Sequence, residues 1–139
     1  MKKEHLSSIA ELEKEAFGAL NAEKTLLKEL ENKIAVYIVA ISDGKILGYI
    51  GIWNVCGEAE IINIAVRPEE RRKGVGKFLL EEIFSYLREN DVSSLNLEVR
   101  ESNISARSLY EKLGFEIIGE RKKYYDGKET AILMKKDFI

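Results

Sequence analysis

The chain has 139 residues, 45% of them apolar and 33% charged, with 22 Lys and Arg against 24 Asp and Glu for a formal net charge of −2. That is the composition of one ordinary globular domain, spanning 1–139. It argues against nucleic-acid binding, which needs an excess of cations, and against a membrane helix, because no apolar run nears the roughly 18 residues required. Met1-Lys2-Lys3 leads into a charged segment rather than a signal peptide, so a cytosolic location is expected. One Cys and one His leave no internal disulfide and no zinc site.

In chain order, Leu6, Ile9, Leu12 and Ala16, then Leu26, Leu27 and Leu30, recur at helical spacing and predict two amphipathic helices. Residues 34 to 41 and 46 to 55 are rich in Ile, Val and Tyr and flank Asp43-Gly44, a strong hairpin signal. A third strand over 59 to 66 follows the turn Cys56-Gly57-Glu58 and ends before Pro68, which biases Arg67 to an extended backbone. Cys56 in that turn is read as incidental rather than as a nucleophile. A long helix over 74 to 89 places Val75, Phe78, Leu79, Ile83, Tyr86 and Leu87 on one face. A strand over 93 to 100 follows, then a helix over 103 to 112 stopped by Gly114. Strands over 115 to 124 and 129 to 136 meet at Asp126-Gly127. This order predicts the α/β class, a mixed sheet flanked by helices, with the crossover through 59 to 100 as its parallel part.

The junction Arg71-Arg72-Lys73-Gly74-Val75-Gly76 is the chain's most informative feature. Its glycines allow close backbone approach to a ligand, and the first amides of the helix that follows have no helical partner. With the helix dipole and three cations, this is a site for an anion, phosphate above all. A Walker loop fails, because Arg71 stands where its first Gly should be and Phe78 where its Ser or Thr should be. A dinucleotide fingerprint fails at Leu79, and the linker Arg67 to Lys73 separates the glycines from the strand.

What remains, Arg71-x-x-Gly74-x-Gly76, resembles the pyrophosphate loop of the GNAT N-acetyltransferases. The order of elements is similar to theirs. So are Asn63-Ile64-Ala65-Val66-x-Pro68, Leu97-Glu98-Val99-Arg100-x-Ser102-Asn103-x-x-Ala106-x-x-Leu109-Tyr110-Glu111-x-Leu113-Gly114-Phe115, Arg121-x-x-Tyr124-Tyr125 and Glu129-x-Ala131. Within the family the chain looks like the bacterial branch that acetylates the N-terminal alanine of a ribosomal protein, over roughly residues 4 to 136.

The resemblance implies the acyl-CoA N-acyltransferase fold, in which the family's fourth and fifth strands, here 60 to 66 and 95 to 100, splay apart to admit the pantetheine arm. It implies acetyl-CoA as co-substrate and no metal. Backbone groups of Ile64, Ala65 and Val66 would pair with pantetheine. The loop from Arg71, through the amides of Arg72, Lys73, Gly74, Val75, Gly76 and Lys77, would hold pyrophosphate, and Asn103 would touch the cofactor again. Glu98 matches the family's general base and Tyr110 its general acid. Phe17, Leu20, Tyr124 and Tyr125 fall where the acceptor should bind. The implied partner is a protein or peptide N-terminus, with no direct nucleic acid and no membrane; assembly is left open between monomer and weak dimer. Residue spacing agrees: strand alternation puts Leu95, Leu97 and Val99 on one face and Glu98 on the other. Asn103, Ala106, Arg107 and Tyr110 share one helix face.

Each residue also has a plainer reading. Glu98 could pair across the sheet with Lys or Arg, Asn103 could be an N-cap, and the tyrosines could be packing residues. Four features depart from the family pattern. Only Met1 to Lys3 precede the first helix, so the first edge strand has little chain to form it. The segment Ala16-Phe17-Gly18-Ala19-Leu20 lacks the usual Phe-Pro-Trp, Thr130 replaces an acidic residue, and the hairpin at Asp126-Gly127 is short. All four lie near the acceptor. The alternatives are therefore an acetyltransferase for a small amine or a lysine side chain, and a non-catalytic acyl-CoA sensor, which the joint presence of Glu98 and Tyr110 disfavours.

Overall fold

The structure is a computed structural model that describes residues 1–17, 22–125 and 129–138. A short 3₁₀ turn, Lys3–His5, leads into α1 (Leu6–Phe17) and α2 (Ala22–Glu31). Then come β1 (Ala35–Ser42), β2 (Lys45–Val55), β3 (Glu58–Val66), α3 (Val75–Glu89), β4 (Ser94–Arg100), α4 (Ile104–Lys112), β5 (Glu116–Tyr125) and β6 (Glu129–Asp137). These bounds agree with the sequence expectation to within a residue or two at most ends. Asp43 and Gly44 have φ of 51° and 75°, and Cys56 and Gly57 have 51° and 83°. Both hairpins therefore close on consecutive left-handed residues, the twist that adjacent strands favour. The Asp126-Gly127 joint lies outside the described residues.

The strands form one sheet in the order β1-β2-β3-β4-β6-β5. All neighbours are antiparallel except β3 and β4, the pair joined through α3. No strand precedes α1 among the described residues. Instead the Met1 ammonium donates to the Tyr37 carbonyl of β1 at 2.8 Å.

Each face of the sheet carries its own core. Leu79, Leu80, Ile83, Phe84 and Leu87 of α3 and Tyr110 of α4 pack on Ile50, Ile52, Leu95, Leu97 and Val99. On the opposite face Leu6, Ile9 and Leu12 of α1 and Leu26 of α2 cover Tyr37, Ile46, Tyr49 and Ala65. Two expected core residues are instead about half exposed, Phe78 at 49% and Leu27 at 42%. The buried stripe of α3 runs through Leu80 and Phe84, because the helix wraps its sheet over a wider arc than a single i, i+3, i+4 series marks out.

The decisive irregularity is in β3. Its register with β2 jumps from Ile52↔Ile61 to Gly51↔Asn63, leaving Ile62 as an extra residue, a β-bulge. Ile61 and Ile64, three apart, consequently both pack on the α3 side. Asn63 and Ala65 turn to the α1 side. The parallel ladder to β4 runs Glu58↔Ser94, Ala59↔Leu95, Glu60↔Asn96 and stops there. Strands β3 and β4 thus part just before the bulge, as the splay expectation required.

Candidate active site

The opening between β3 and β4 begins beside Leu97 and Glu98. Leu95, Leu97 and Val99 are buried under the helices, whereas Asn96 and Glu98 face the other way and are only partly buried. Glu98 Oε1 stands 3.0 Å from Arg121 Nη1. Arg121 reaches it from β5 across β6, whose Leu133 is opposite Glu98. The plainer reading of Glu98, a cross-sheet ion pair, is therefore present, and it holds the carboxylate beside a cavity of about 390 Å³. Trp53, Glu58, Glu60, Asn96 and Leu133 line that cavity with Glu98 and Arg121. The Trp53 indole is fixed by its Nε1, which donates to Glu29 Oε2 of α2 at 2.7 Å.

Tyr110 lies on the other side of β4. It is 7% exposed in the α3 core, with its ring edge-on to Phe115 at 5.6 Å. Burial pushes its hydroxyl up to about 12, since a phenolate would lose its hydration there. The side chain therefore keeps its proton at neutral pH.

The anion loop has the backbone its sequence suggested. Arg72 and Gly74 both take positive φ, 63° and 85°, and Phe78 is the first residue to close the helical ladder, onto the Gly74 carbonyl at 2.9 Å. The α3 N-terminus has no side-chain cap. A Cβ on Gly74 would meet nothing within 4 Å, so the space before the helix is open. Lys73 and Lys77 engage Glu70 at 3.5 Å and Glu81 at 3.7 Å, pairs whose lysines are exposed and which therefore add little. At α4 the Asn103 side chain caps the helix, accepting from Ala106 N at 3.2 Å. Its N-cap reading is thus realised.

Two polar clusters were not legible beforehand. Glu129 accepts from both the amide and the hydroxyl of Ser102 and pairs with Arg100 at 3.2 Å. These bonds, with Ser102 first, hold its carboxyl below the usual range and tie β6 to the β4–α4 turn. Glu13 of α1 is 5% exposed, the one charged side chain in the buried set among the described residues. Its Oε1 accepts from Tyr49 Oη at 2.5 Å and Asn63 Nδ2 at 3.0 Å. Desolvation raises its carboxyl above the ordinary range despite those bonds. Nothing in the sequence singled it out, since Glu11 and Glu15 on the same helix carry the same carboxylate.

Of the expected site residues, Ile64, Ala65 and Val66 border the opening on β3, Arg71 to Lys77 lie in the loop and first turn after it, and Asn103 starts α4. Glu98 and Tyr110 flank β4. Leu20 and the side chains of Phe17, Tyr124 and Tyr125 lie outside the described residues. The described residues contain no group of three or more His, Cys, Asp or Glu placed to hold a metal ion.

A sheet split between parallel strands, with an uncapped helix N-terminus above it and a carboxylate at its mouth, defines an acyl-CoA transferase architecture. Residues 6–115 match the Acetyltransferase (GNAT) family, and the chain belongs to it. It is an acetyl-CoA-dependent N-acetyltransferase. It is similar to a Bacillus subtilis protein provisionally named ribosomal protein bS18-alanine N-acetyltransferase, with 39% identity over 136 residues, 96% of this chain and 90% of the relative. The Haemophilus influenzae ribosomal protein bS18-alanine N-acetyltransferase is 40% identical over 112 residues, 78% and 76% of the two chains. Among solved structures, the ribosomal-protein-S18-alanine N-acetyltransferase of Escherichia coli superposes with a TM-score of 0.90 at 34% identity, over 99% of this chain and 90% of that one.

Proposed function

We propose that this chain acetylates the α-amine of an N-terminal alanine on a ribosomal protein, in the cytosol, by direct transfer from acetyl-CoA in a ternary complex. The observation that carries the reading is the placement of Glu98 at the end of the β3–β4 ladder on the α1 face, with Tyr110 on the α3 face. Pantetheine pairs with the backbone of Ile64, Ala65 and Val66, pyrophosphate lies on the amides from Arg72 to Lys77 beside Arg71, and Asn103 adds a contact. A free α-amine has a pKa of about 7.7 to 8.0, so much of it is protonated at neutral pH. Glu98, directly or through water, takes that proton, and the neutral amine attacks the thioester carbonyl. An amide of β3 steadies the oxyanion, and Tyr110 gives its proton to the departing thiolate. Alignment of the two reactants supplies up to roughly 7 to 11 kcal/mol.

The acceptor enters between the Phe17 to Leu20 segment and Tyr124-Tyr125. The named activity of the relatives supports this acceptor over a small amine or a lysine side chain. A peptide-library assay with acetyl-CoA, read by mass spectrometry, tests it. Peptides starting with alanine are acetylated on the α-amine, a blocked amine abolishes the reaction, and a bulky first residue slows it. Faster modification of lysine side chains or spermidine than of any alanine peptide overturns the reading in favour of the small-amine alternative.

A further inference from the structure

The bulge at Ile62 sets the parity of the strand that borders the split. Without the extra residue, 59, 61, 63 and 65 would share one face, and Ala59 and Ile61 already lie in the α3 core. Asn63 would then carry its amide into an apolar layer. With the bulge, Asn63 faces α1 and donates to Glu13 Oε1, the same oxygen that Tyr49 Oη uses from β2. One buried carboxyl oxygen thus joins α1, β2 and β3 at the point where β3 has just left β4. A strand whose next neighbour is missing has lost half its ladder, and its path must be fixed by something else.

We infer that Glu13 is a positioning residue for acetyl transfer: through Asn63 it locks the register of β3 after the bulge and so presents the backbone of Ile64, Ala65 and Val66 to the co-substrate. This rests on the proposed use of that backbone by pantetheine and is independent of which amine is the acceptor. The lock requires an acceptor oxygen, not a negative charge. Only the bulged register lets the three residues meet, so their bonding opposes slippage of the strand to the other parity.

Acetyl-CoA affinity by calorimetry and the kcat and KM of transfer, together with Tm, test the inference in four variants. Glu13→Gln keeps an acceptor oxygen and should bind acetyl-CoA within about twofold of the parent. Glu13→Met removes the oxygen and should weaken acetyl-CoA binding by roughly tenfold, the upper scale of one ordinary hydrogen bond. Asn63→Ala should show the same loss. Asn63 is only partly buried, so that variant reports even where Glu13→Met does not fold. In the double variant Glu13→Gln/Asn63→Ala the loss should equal that of Asn63→Ala alone. A lowered Tm with unchanged affinity in Asn63→Ala would make the cluster purely structural and overturn the inference. Equal loss in Glu13→Gln and Glu13→Met would overturn it too, since the charge would then be what matters. If every variant and the parent fail to bind acetyl-CoA, the cofactor reading itself has failed, which is distinguishable from either result.

Discussion

Glu98 and Tyr110 lie on opposite faces of β4: the carboxylate opens onto the α1 side beside Arg121, and the phenol is buried on the α3 side against Phe115. One strand therefore separates the proposed proton acceptor from the proposed proton donor. That arrangement suits the proposed transfer, in which the amine loses its proton on one side of the thioester and the thiolate gains one on the other.

Glu98→Gln should leave acetyl-CoA affinity unchanged and lower transfer by about 10²-fold or more at neutral pH. Raising the pH should recover part of the loss, as more of the amine is already neutral. Transfer at the parent rate in this variant would assign the base role elsewhere.

Tyr110→Phe should slow transfer by about 10²-fold while the fold is retained, since the ring contacts with Phe115 survive. With its hydroxyl pushed up to about 12, the parent should show no loss of rate from this group up to pH 10. A limb near the ordinary tyrosine range that vanishes in the Phe variant would contradict the burial argument.

Gly74 has φ 85°, a region a β-branched residue avoids. Gly74→Val should distort the loop and cut acetyl-CoA affinity. Gly44→Val, equally strained at φ 75° but in the β1–β2 turn, is the control and should leave affinity unchanged. Calorimetry in low and high salt should also show weaker binding at high salt, because the cations around the loop are exposed.

Glu13 carries a pH signature of its own. Burial raises its carboxyl, Glu29 adds to the rise, and the bonds from Tyr49 and Asn63 work against it. A folded pKa above the unfolded one means the folded state holds the proton more tightly. That stabilisation is full below the ordinary carboxylate range and is lost as pH rises through the folded pKa. The stability of Glu13→Gln relative to the parent should therefore increase with pH from about 4 upward, by denaturant titration. A flat difference would mean the carboxyl titrates as it does unfolded. Glu69 and Glu129, both lowered, are common to the two proteins and cancel in the difference.

What the sequence by itself determined is local. The turns at Asp43-Gly44 and Cys56-Gly57, the start of α3 at Gly74, the Asn103 cap and the alternation of β4 each depend on a few adjacent residues whose backbone preferences are strong, and each could be read without the fold. The motif residues from Asn63 to Phe115 likewise marked the family. Tertiary structure decided the rest. Whether Asn63 faces α1 or the α3 core depends on one extra residue at Ile62, and alternation within β3 does not reveal where a bulge falls, because Ile61, Ile62 and Ile64 put apolar side chains at both odd and even positions around Asn63. Arg121 reaches Glu98 only because β6 lies between β4 and β5, an order set by packing. Glu13 joined the site for the same reason: a carboxylate on α1 gains its meaning only when two strands distant in sequence bring Tyr49 and Asn63 to one of its oxygens, out of reach of water.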